Sequence, residues 1–412
     1  MRADCSVLDV TNQPSNISQS SDGIPRKVRS ARVANSIAFV ILGAIFATWA
    51  VRIPAIESLF HLTKTDISIA LLGLAVGSIL GLIASGALVA RYSAKAVVRL
   101  AIITYCLLLP VISFSGGLYT LLIILVGFGF GKGLLDVAAN TQALHIEQAY
   151  SRQIMGSFHA LYSAGALLGS LIGALFTSLG LSAQSHFLIL AATFLSIGLT
   201  ASVWLLPSEE DESEDTNSEL ALPSREILGF CLIGFCALLI EGIANDWSAV
   251  FLTGAAGARP AVAALGFAAF ALAMTLGRFA ADRAVDTVGP RRFIQLTAAI
   301  AALGVIVTLV PIPPVTLFGF GILGFGIGGV APVNVSLVGQ ADLNRSAESA
   351  VAAVSTSSYA GFAAGPVAIG LLADATSLRV AFLPAIGVAA VIATLTFTLP
   401  TSGNTASAVG SD

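Results

Sequence analysis

Gly127-Phe128-Gly129-Phe130-Gly131 and Gly324-Phe325-Gly326-Ile327-Gly328 are two copies of one five-residue pattern, 197 positions apart (324 minus 127). Each sits in an apolar stretch long enough to cross a bilayer, which takes about 20 residues of helix. Two further pairs keep nearly the same separation. Tyr162-Ser163-Ala164-Gly165 with Gly169 resembles Ser358-Tyr359-Ala360-Gly361 with Gly365 at offset 196 (361 minus 165), and Trp49 matches Trp247 at offset 198 (247 minus 49). Three local matches at almost one offset describe a duplicated unit, and repetition fixes architecture more firmly than local propensity does.

Composition says what kind of unit is duplicated. Only 10% of the 412 residues are charged and 56% are hydrophobic, against roughly 25% charged in soluble domains, so no water-facing surface can be built from this chain. The pattern predicts twelve membrane helices, at 33–54, 66–90, 97–114, 118–142, 153–178, 184–206, 227–252, 260–282, 293–311, 314–338, 348–373 and 378–399. The fold class is all-α integral membrane, with a six-helix bundle at 33–206 and another at 227–399, flanked by tails at 1–32 and 400–412. The connection at 207–226 contains Ser208 to Glu219, a dense acidic and Ser/Thr run with nothing apolar to bury, which reads as a disordered spacer.

Charge placement orients the bundles. One side collects Arg2, Arg26, Lys27, Arg29, Arg32, Arg91, Lys95, Arg99, Arg152, Arg225, Arg283, Arg291, Arg292 and Arg345; the other has Lys64, Arg259 and Arg379, with Arg52 close by. The positive-inside rule makes the first side cytoplasmic, and an even number of spans puts both termini there, in an inner membrane. Both copies then begin inside, so the repeats are parallel, related by an axis along the membrane normal. The first thirty residues lack the order of a cleaved secretory signal. Cys5, Cys106, Cys231 and Cys236 have no disulfide or zinc spacing and read as packing residues.

The connection from the second to the third span, Gly86-Ala-Leu-Val-Ala-Arg91-Tyr-Ser-Ala-Lys95, and its counterpart Asp282-Arg283-Ala-Val-Asp286-Thr-Val-Gly289-Pro-Arg291-Arg292, resemble the basic loop motif of the major facilitator superfamily. The first copy has Ala90 and Ser93 where that family has Asp and Gly. The strings Trp49 to Pro54, Asp136 to Asn140, Ser157 to Gly165 and Glu241 to Ser248 resemble a bacterial branch of it that includes a membrane protein associated with rhizopine metabolism and is distantly similar to fucose–proton symporters. The resemblance implies that Gly86, Arg91, Lys95, Asp282, Arg283, Asp286, Gly289 and Arg291 form a loop that controls conformation. It also implies a coupling role for Asp136, because fucose symporters are similar in placing a carboxylate just before Ala-Ala-Asn. Ser170 stands where the drug–proton antiporters of the family have Pro, which argues against drug efflux.

Ionisable groups in hydrocarbon are costly and mark functional sites. Lys132, Asp136 and Asn140 fall at i, i+4 and i+8 on one helical face, a spacing that also allows the ammonium simply to neutralise the carboxylate. Glu241 lies near mid-depth with Asn245 one turn on; it is a proton site or the partner of Arg278 or Lys132. Asp246 reads as solvated, near the end of its span. His159 is the histidine read as inside a span; imidazole changes charge in the physiological range, and a neutral helix-to-helix hydrogen bond is the other reading. Asp136, Glu241 and His159 are therefore the candidates for proton coupling. Trp49, Arg52, Lys132, Asn140, Asn245, Trp247, Asn334 and Tyr359 are the candidates for holding substrate: aromatics to stack on a ring, amides and the phenol to bond hydroxyls, Arg52 to bind an anion or snorkel to the interface.

Gly324-x-Gly326-x-x-Gly329 satisfies the dinucleotide fingerprint in form but not in context, since that motif needs a strand-to-helix turn facing water. Small residues instead allow close helix approach. The four histidines show no metal or nucleophile spacing, so an enzyme is not expected, nor a cofactor or metal. The expectation is a proton-coupled secondary transporter of a small polar solute such as a sugar or cyclitol, working as a monomer among membrane lipids, without nucleic acid, by alternating access and powered by the proton gradient. An exporter of a metabolite or toxic compound is the alternative, and a transport-inactive sensor the reading from another class.

Overall fold

Hydropathy marks where a chain meets lipid, whereas a helix ends where its backbone bonds run out, and the two differ in instructive places. The structure is a computed structural model that describes residues 25–150, 154–207, 227–339, 341 and 347–399; of Asp282, Ala347 and Glu348 the side chains are not described. The C-terminal tail, most of the N-terminal tail with Cys5, and the acidic run at 208–219 lie outside the described residues.

Among the described residues twelve helices are long and apolar enough to cross a membrane: Arg26–Ala50, Lys64–Tyr92, Ala94–Phe114, Leu118–Tyr150, Met155–Ser178, Ala183–Trp204, Leu228–Gly254, Pro260–Ala281, Pro290–Thr308, Pro313–Gly339, Ser349–Ala375 and Leu378–Thr398. They are called the first to twelfth spans below. The fourth outruns its predicted end because Ala143 to Tyr150 is a more polar but helix-compatible extension. Its Glu147 carboxylate then accepts from the backbone N–H groups of Ile154 and Met155 at 2.6 and 2.7 Å, capping the start of the fifth span. The first span starts early, in a basic turn after Pro25, and beyond Arg52 the chain turns into a short helix, Ile53–Phe60.

Two six-helix units share one packing plan. Gly165 and Gly169 of the fifth span lie against the carbonyls of Val40 and Ala44 in the first; Gly361 and Gly365 of the eleventh lie against those of Phe235 and Leu239 in the seventh. The loops match as closely. Lys95 donates to the carbonyls of Val203 and Leu205, and Arg99 to Ser202, closing the end of the sixth span. Arg291 donates to the carbonyl of Leu399, and Gln295 to Thr396, at the end of the twelfth. These cations sit where orphan carbonyls and the helix dipole favour them. The loop-motif residues Lys95 and Arg291 thus serve their own half in this state, while Arg91, Arg283 and Asp286 are exposed.

The departure of the first loop from the family pattern has a visible cost. Ser93 has φ 88° and ψ 146°, matching Gly289 in the second copy at φ 80° and ψ 154°. That region belongs almost to glycine alone, and other residues held there lose about 1–3 kcal/mol. Ser93 recovers part of this by accepting from the N–H of Ala96. Ser93→Gly is expected to stabilise the protein by about 1 kcal/mol, since glycine replaces a capping serine at a cost of only a few tenths. A melting temperature in detergent that falls on substitution would contradict this account of the turn.

The first and seventh spans run through the middle. Every residue from Ile41 to Val51, and from Gly242 to Leu252, is buried, as expected of helices with protein on all sides. The outward faces of the others expose Ile83, Ile123, Phe279 and Phe318, an apolar coat suited to lipid chains.

Candidate functional site

Between the halves lies a cavity of about 580 Å³, lined by Phe39 and Leu42 of the first span, Lys132, Asp136, Asn140 and Leu144 of the fourth, Met155, His159 and Tyr162 of the fifth, and Tyr359 of the eleventh. The fourth span supplies most of its polarity. Residues four apart rise about 6 Å along one face, so Lys132, Asp136 and Asn140 form a ladder down the wall. Asn140 donates its amide to the Asp136 carboxylate at 3.0 Å and to the Asp136 carbonyl at 2.9 Å. Lys132 makes no ion pair with Asp136. Its ammonium lies over the Phe46 ring, 5.7 Å from the centroid, a cation–π contact at the blind end of the cavity.

In the other half, Arg278 of the eighth span pairs with Glu241 of the seventh at 3.5 Å and donates to the carbonyl of Gly328 at 3.2 Å. Of the two sequence readings of Glu241, the ion pair is the one present. Asp136 and Tyr162 of one half and Tyr359 of the other line the same cavity. His159 is exposed to the cavity, edge-on to Phe39 with centroids 5.6 Å apart.

The cavity lining extends to Leu144 and Met155, toward the end where the basic loops lie, and the other end is closed. Phe46, Ala47, Ala50 and Val51 of the first span and its following turn pack with Ala166 and with Ala264, Phe267 and Ala271 of the eighth region in an apolar plug. Beyond it the second and eleventh spans are bonded together. Asp374 accepts from the backbone N–H groups of Lys64 at 3.1 Å and Thr65 at 2.7 Å, placing its carboxylate from one half on the helix N-terminus of the other. The Ser68 hydroxyl donates to the Pro366 carbonyl at 2.8 Å, which also accepts from Trp247 Nε1 at 3.1 Å. A second hollow of about 670 Å³, lined by Arg52, Glu57, His61, Lys64 and Thr253 among others, lies outside this closure.

Several sequence-predicted residues fall elsewhere. Trp49 and Trp247 are fully buried between helices, so neither can stack on a ring in the cavity. Asn334 spends its amide on the Phe230 carbonyl at 2.9 Å, tying the tenth span to the seventh, and Asn35 ties the first to the fourth in the same way through Ala139 at 3.0 Å. Asn245 is buried outside the cavity wall. Arg52 neither snorkels nor lines the central cavity. It donates to His186 Nδ1 at 3.0 Å and to the Leu181 carbonyl at 3.1 Å, holding the start of the sixth span. With His145 on the polar extension of the fourth span, His186 makes three histidines within the spans; it went unremarked because it falls close to a predicted boundary. Asp246 is 5% exposed rather than solvated, because the chain around it is a central helix. Tyr162 and Met155 enter the wall without having been singled out; aromatic and apolar residues in an apolar span give no signal of which face meets a cavity.

A duplicated twelve-helix bundle around a central cavity has known relatives. The family model of the Major Facilitator Superfamily matches residues 35–240 and again 230–410. The chain belongs to that superfamily. This member is 33% identical over 354 residues to an uncharacterised MFS-type transporter of Yersinia pestis, covering 86% of this chain and 91% of the relative. It is 28% identical over 360 residues to membrane protein MosC of Rhizobium meliloti, covering 86% of each. In three dimensions the superfamily member resembles the nucleoside transporter NupG, with a TM-score of 0.77 at 12% identity, over 89% of this chain and 99% of that one. The E. coli fucose:proton symporter FucP aligns with a TM-score of 0.58 at 16% identity, over 92% and 100%. At such identities these two likenesses concern the fold.

Proposed function

We propose that this transporter carries a small polar solute of the sugar or cyclitol class, coupled to protons, by rocking its halves about the central cavity. The observation that carries the reading is the cavity wall itself. Asp136, Asn140, Lys132, His159, Tyr162 and Tyr359 present acceptors and donors to about 580 Å³ of space, enough for a monosaccharide-sized ligand and too small for a large amphiphile. Hydroxyl-rich solutes match such a wall, because each buried polar group needs a partner once water has left. The names of the fucose symporter and the nucleoside transporter fit the same class of cargo.

The basic end is the cytoplasmic one by the positive-inside rule, so the present state faces inward in a bacterial inner membrane, with both termini inside. Asp136 is the coupling carboxylate of this scheme. Ionised, it holds the Asn140 amide and is a charge at mid-membrane; protonated, it is neutral and offers a donor to the solute. Proton and solute can then favour the same rearrangement, which is what symport requires.

Vesicles containing the purified protein test this. Adding a monosaccharide or cyclitol from a panel should acidify the lumen as the solute enters, and an imposed pH gradient should drive accumulation. Tight binding of a solute with no translocation in either direction would overturn the carrier and favour a sensor.

A further inference from the structure

Asp246 is the most deeply buried carboxylate of the described residues, and the scheme above does not use it. It lies about 12 Å before the end of the seventh span, in the run from Gly242 to Leu252 where every residue is buried. Its exposure is 5%, its Oδ1 atom has no hydrogen-bond partner, and no donor among the described residues bonds the other oxygen. Lys132, from the opposite half, acts on it electrostatically. Yet Lys132 forms no ion pair with it and lies instead over Phe46, on the cavity side of the plug.

The duplication supplies a control. At the offset of the tryptophan pair, Asp246 corresponds to Thr48 (246 minus 198). Thr48 is equally buried and satisfies itself by donating to the Ala44 carbonyl at 2.8 Å. The position therefore packs with a neutral residue, and the carboxylate of the second copy is not needed to build the helix.

The other charged groups on neighbouring elements are engaged or distant. Glu57 pairs with Lys64, Asp374 holds the second-span N-terminus, Glu241 pairs with Arg278, Arg52 holds His186 and Arg379 donates to the Ala255 carbonyl. Arg259 is exposed, Tyr359 faces the cavity, and the basic residues of the first span lie at its opposite end. The tenth and twelfth spans bring no other titratable side chain to this level.

A carboxylate with no hydrogen-bond donor is costly to bury as an ion, because the charged form loses far more than the neutral acid in leaving water. Asp246 adjoins Trp247, whose Nε1 donates to the Pro366 carbonyl that also accepts from Ser68 of the opposite half in the closure, so separating the halves there would admit water to it. We propose that Asp246 is a proton-binding site of the outer gate: the gate closes over Asp246 only after it has taken a proton from the outer solution. This assignment rests on the alternating-access reading above and makes Asp246 a second proton site, distinct from Asp136 in the inner cavity.

The sign follows directly. The closed state holds one proton more than the open one, so acid favours closure, and the ratio of states changes by at most about tenfold per pH unit. The test needs no solute. Ala264, 1% exposed within the plug, is replaced by cysteine after removal of the native cysteines, and its reaction with a membrane-impermeant thiol reagent is followed from the outer side between about pH 5 and pH 9. Divided at each pH by the rate of an exposed reference cysteine, so that the thiolate fraction cancels, the reaction should quicken as pH rises in the parent and stay slow at every pH in Asp246→Asn, which mimics the protonated acid. Asp374→Ala, which strips the carboxylate from the second span, is the control showing that the reporter responds to opening. Should Asp246→Asn not fold, Asp246→Thr borrows the residue of the first copy and serves in its place. The same pH dependence in the variant as in the parent, or a parent with none, overturns the proposal. Since labelling is independent of flux, a gate that titrates through Asp246 in a protein that moves no solute would sink the carrier reading and leave this one intact.

Discussion

Asp136→Asn is expected to abolish accumulation of solute against its gradient while sparing exchange down it. One unit of pH difference is worth about 1.4 kcal/mol per proton, so a carrier coupled to one proton concentrates its solute about tenfold under that gradient, and the variant should reach only equality. The substitution is nearly isosteric. Asn140 keeps an acceptor at the Asp136 backbone carbonyl, which it already bonds at 2.9 Å, so the ladder on the fourth span should stay in place and any loss belongs to the missing proton. Counterflow in vesicles separates the two activities: exchange near the parental rate with no uphill uptake is the expected pair. Undiminished accumulation in Asp136→Asn, and again with Glu241→Gln added, would remove Asp136 from the scheme and turn attention to His159, which faces the same cavity.

Fold and site were legible in the sequence to different depths, for physical reasons. Twelve spans and two copies followed from apolar runs and from three pairs of local matches, because lipid demands uninterrupted helices and a duplicated chain keeps its close-packing glycines. The end of the fourth span at Tyr150 was not legible, since a polar helix continuing into water leaves no hydropathy signal. Within the site, Lys132, Asp136 and Asn140 could be found because helical spacing places them together and because charge in hydrocarbon is rare. Asn245, Asn334 and the two tryptophans could not be sorted in this way. A buried amide that ties two helices and one that binds a solute look identical until the neighbouring backbone is known. The Asn35 and Asn334 ties show this well: the donor is on the first span in one half and on the tenth in the other, a swap that no residue-by-residue comparison of the copies would reveal.

The second large effect concerns glycines, and the expected result is that two of them in membrane helices answer oppositely to one methyl group. Gly165→Ala should leave little folded protein, whereas Gly86→Ala should be tolerated. A β-carbon on Gly165 would overlap the carbonyl oxygen of Val40 and crowd its α-carbon at 2.8 Å, and both are backbone that cannot rotate away. Relief requires moving the first span off the fifth, which would widen the spacing of Phe39, His159 and Tyr162 around the cavity. Overpacking of a tight interface costs typically 1–3 kcal/mol, and more where backbone must shift. Gly361, lying in the same way against Phe235, should respond like Gly165, so the duplication itself becomes measurable. Around Gly86 nothing lies within 4 Å of an added β-carbon, and alanine is the better helix former by about 1 kcal/mol. Melting of the detergent-solubilised variants decides the matter: Gly86→Ala unchanged or higher, Gly165→Ala and Gly361→Ala both far lower. If all three melt together, helix contact through these glycines does not hold the halves in shape, and the likeness of the two bundles has some other physical basis.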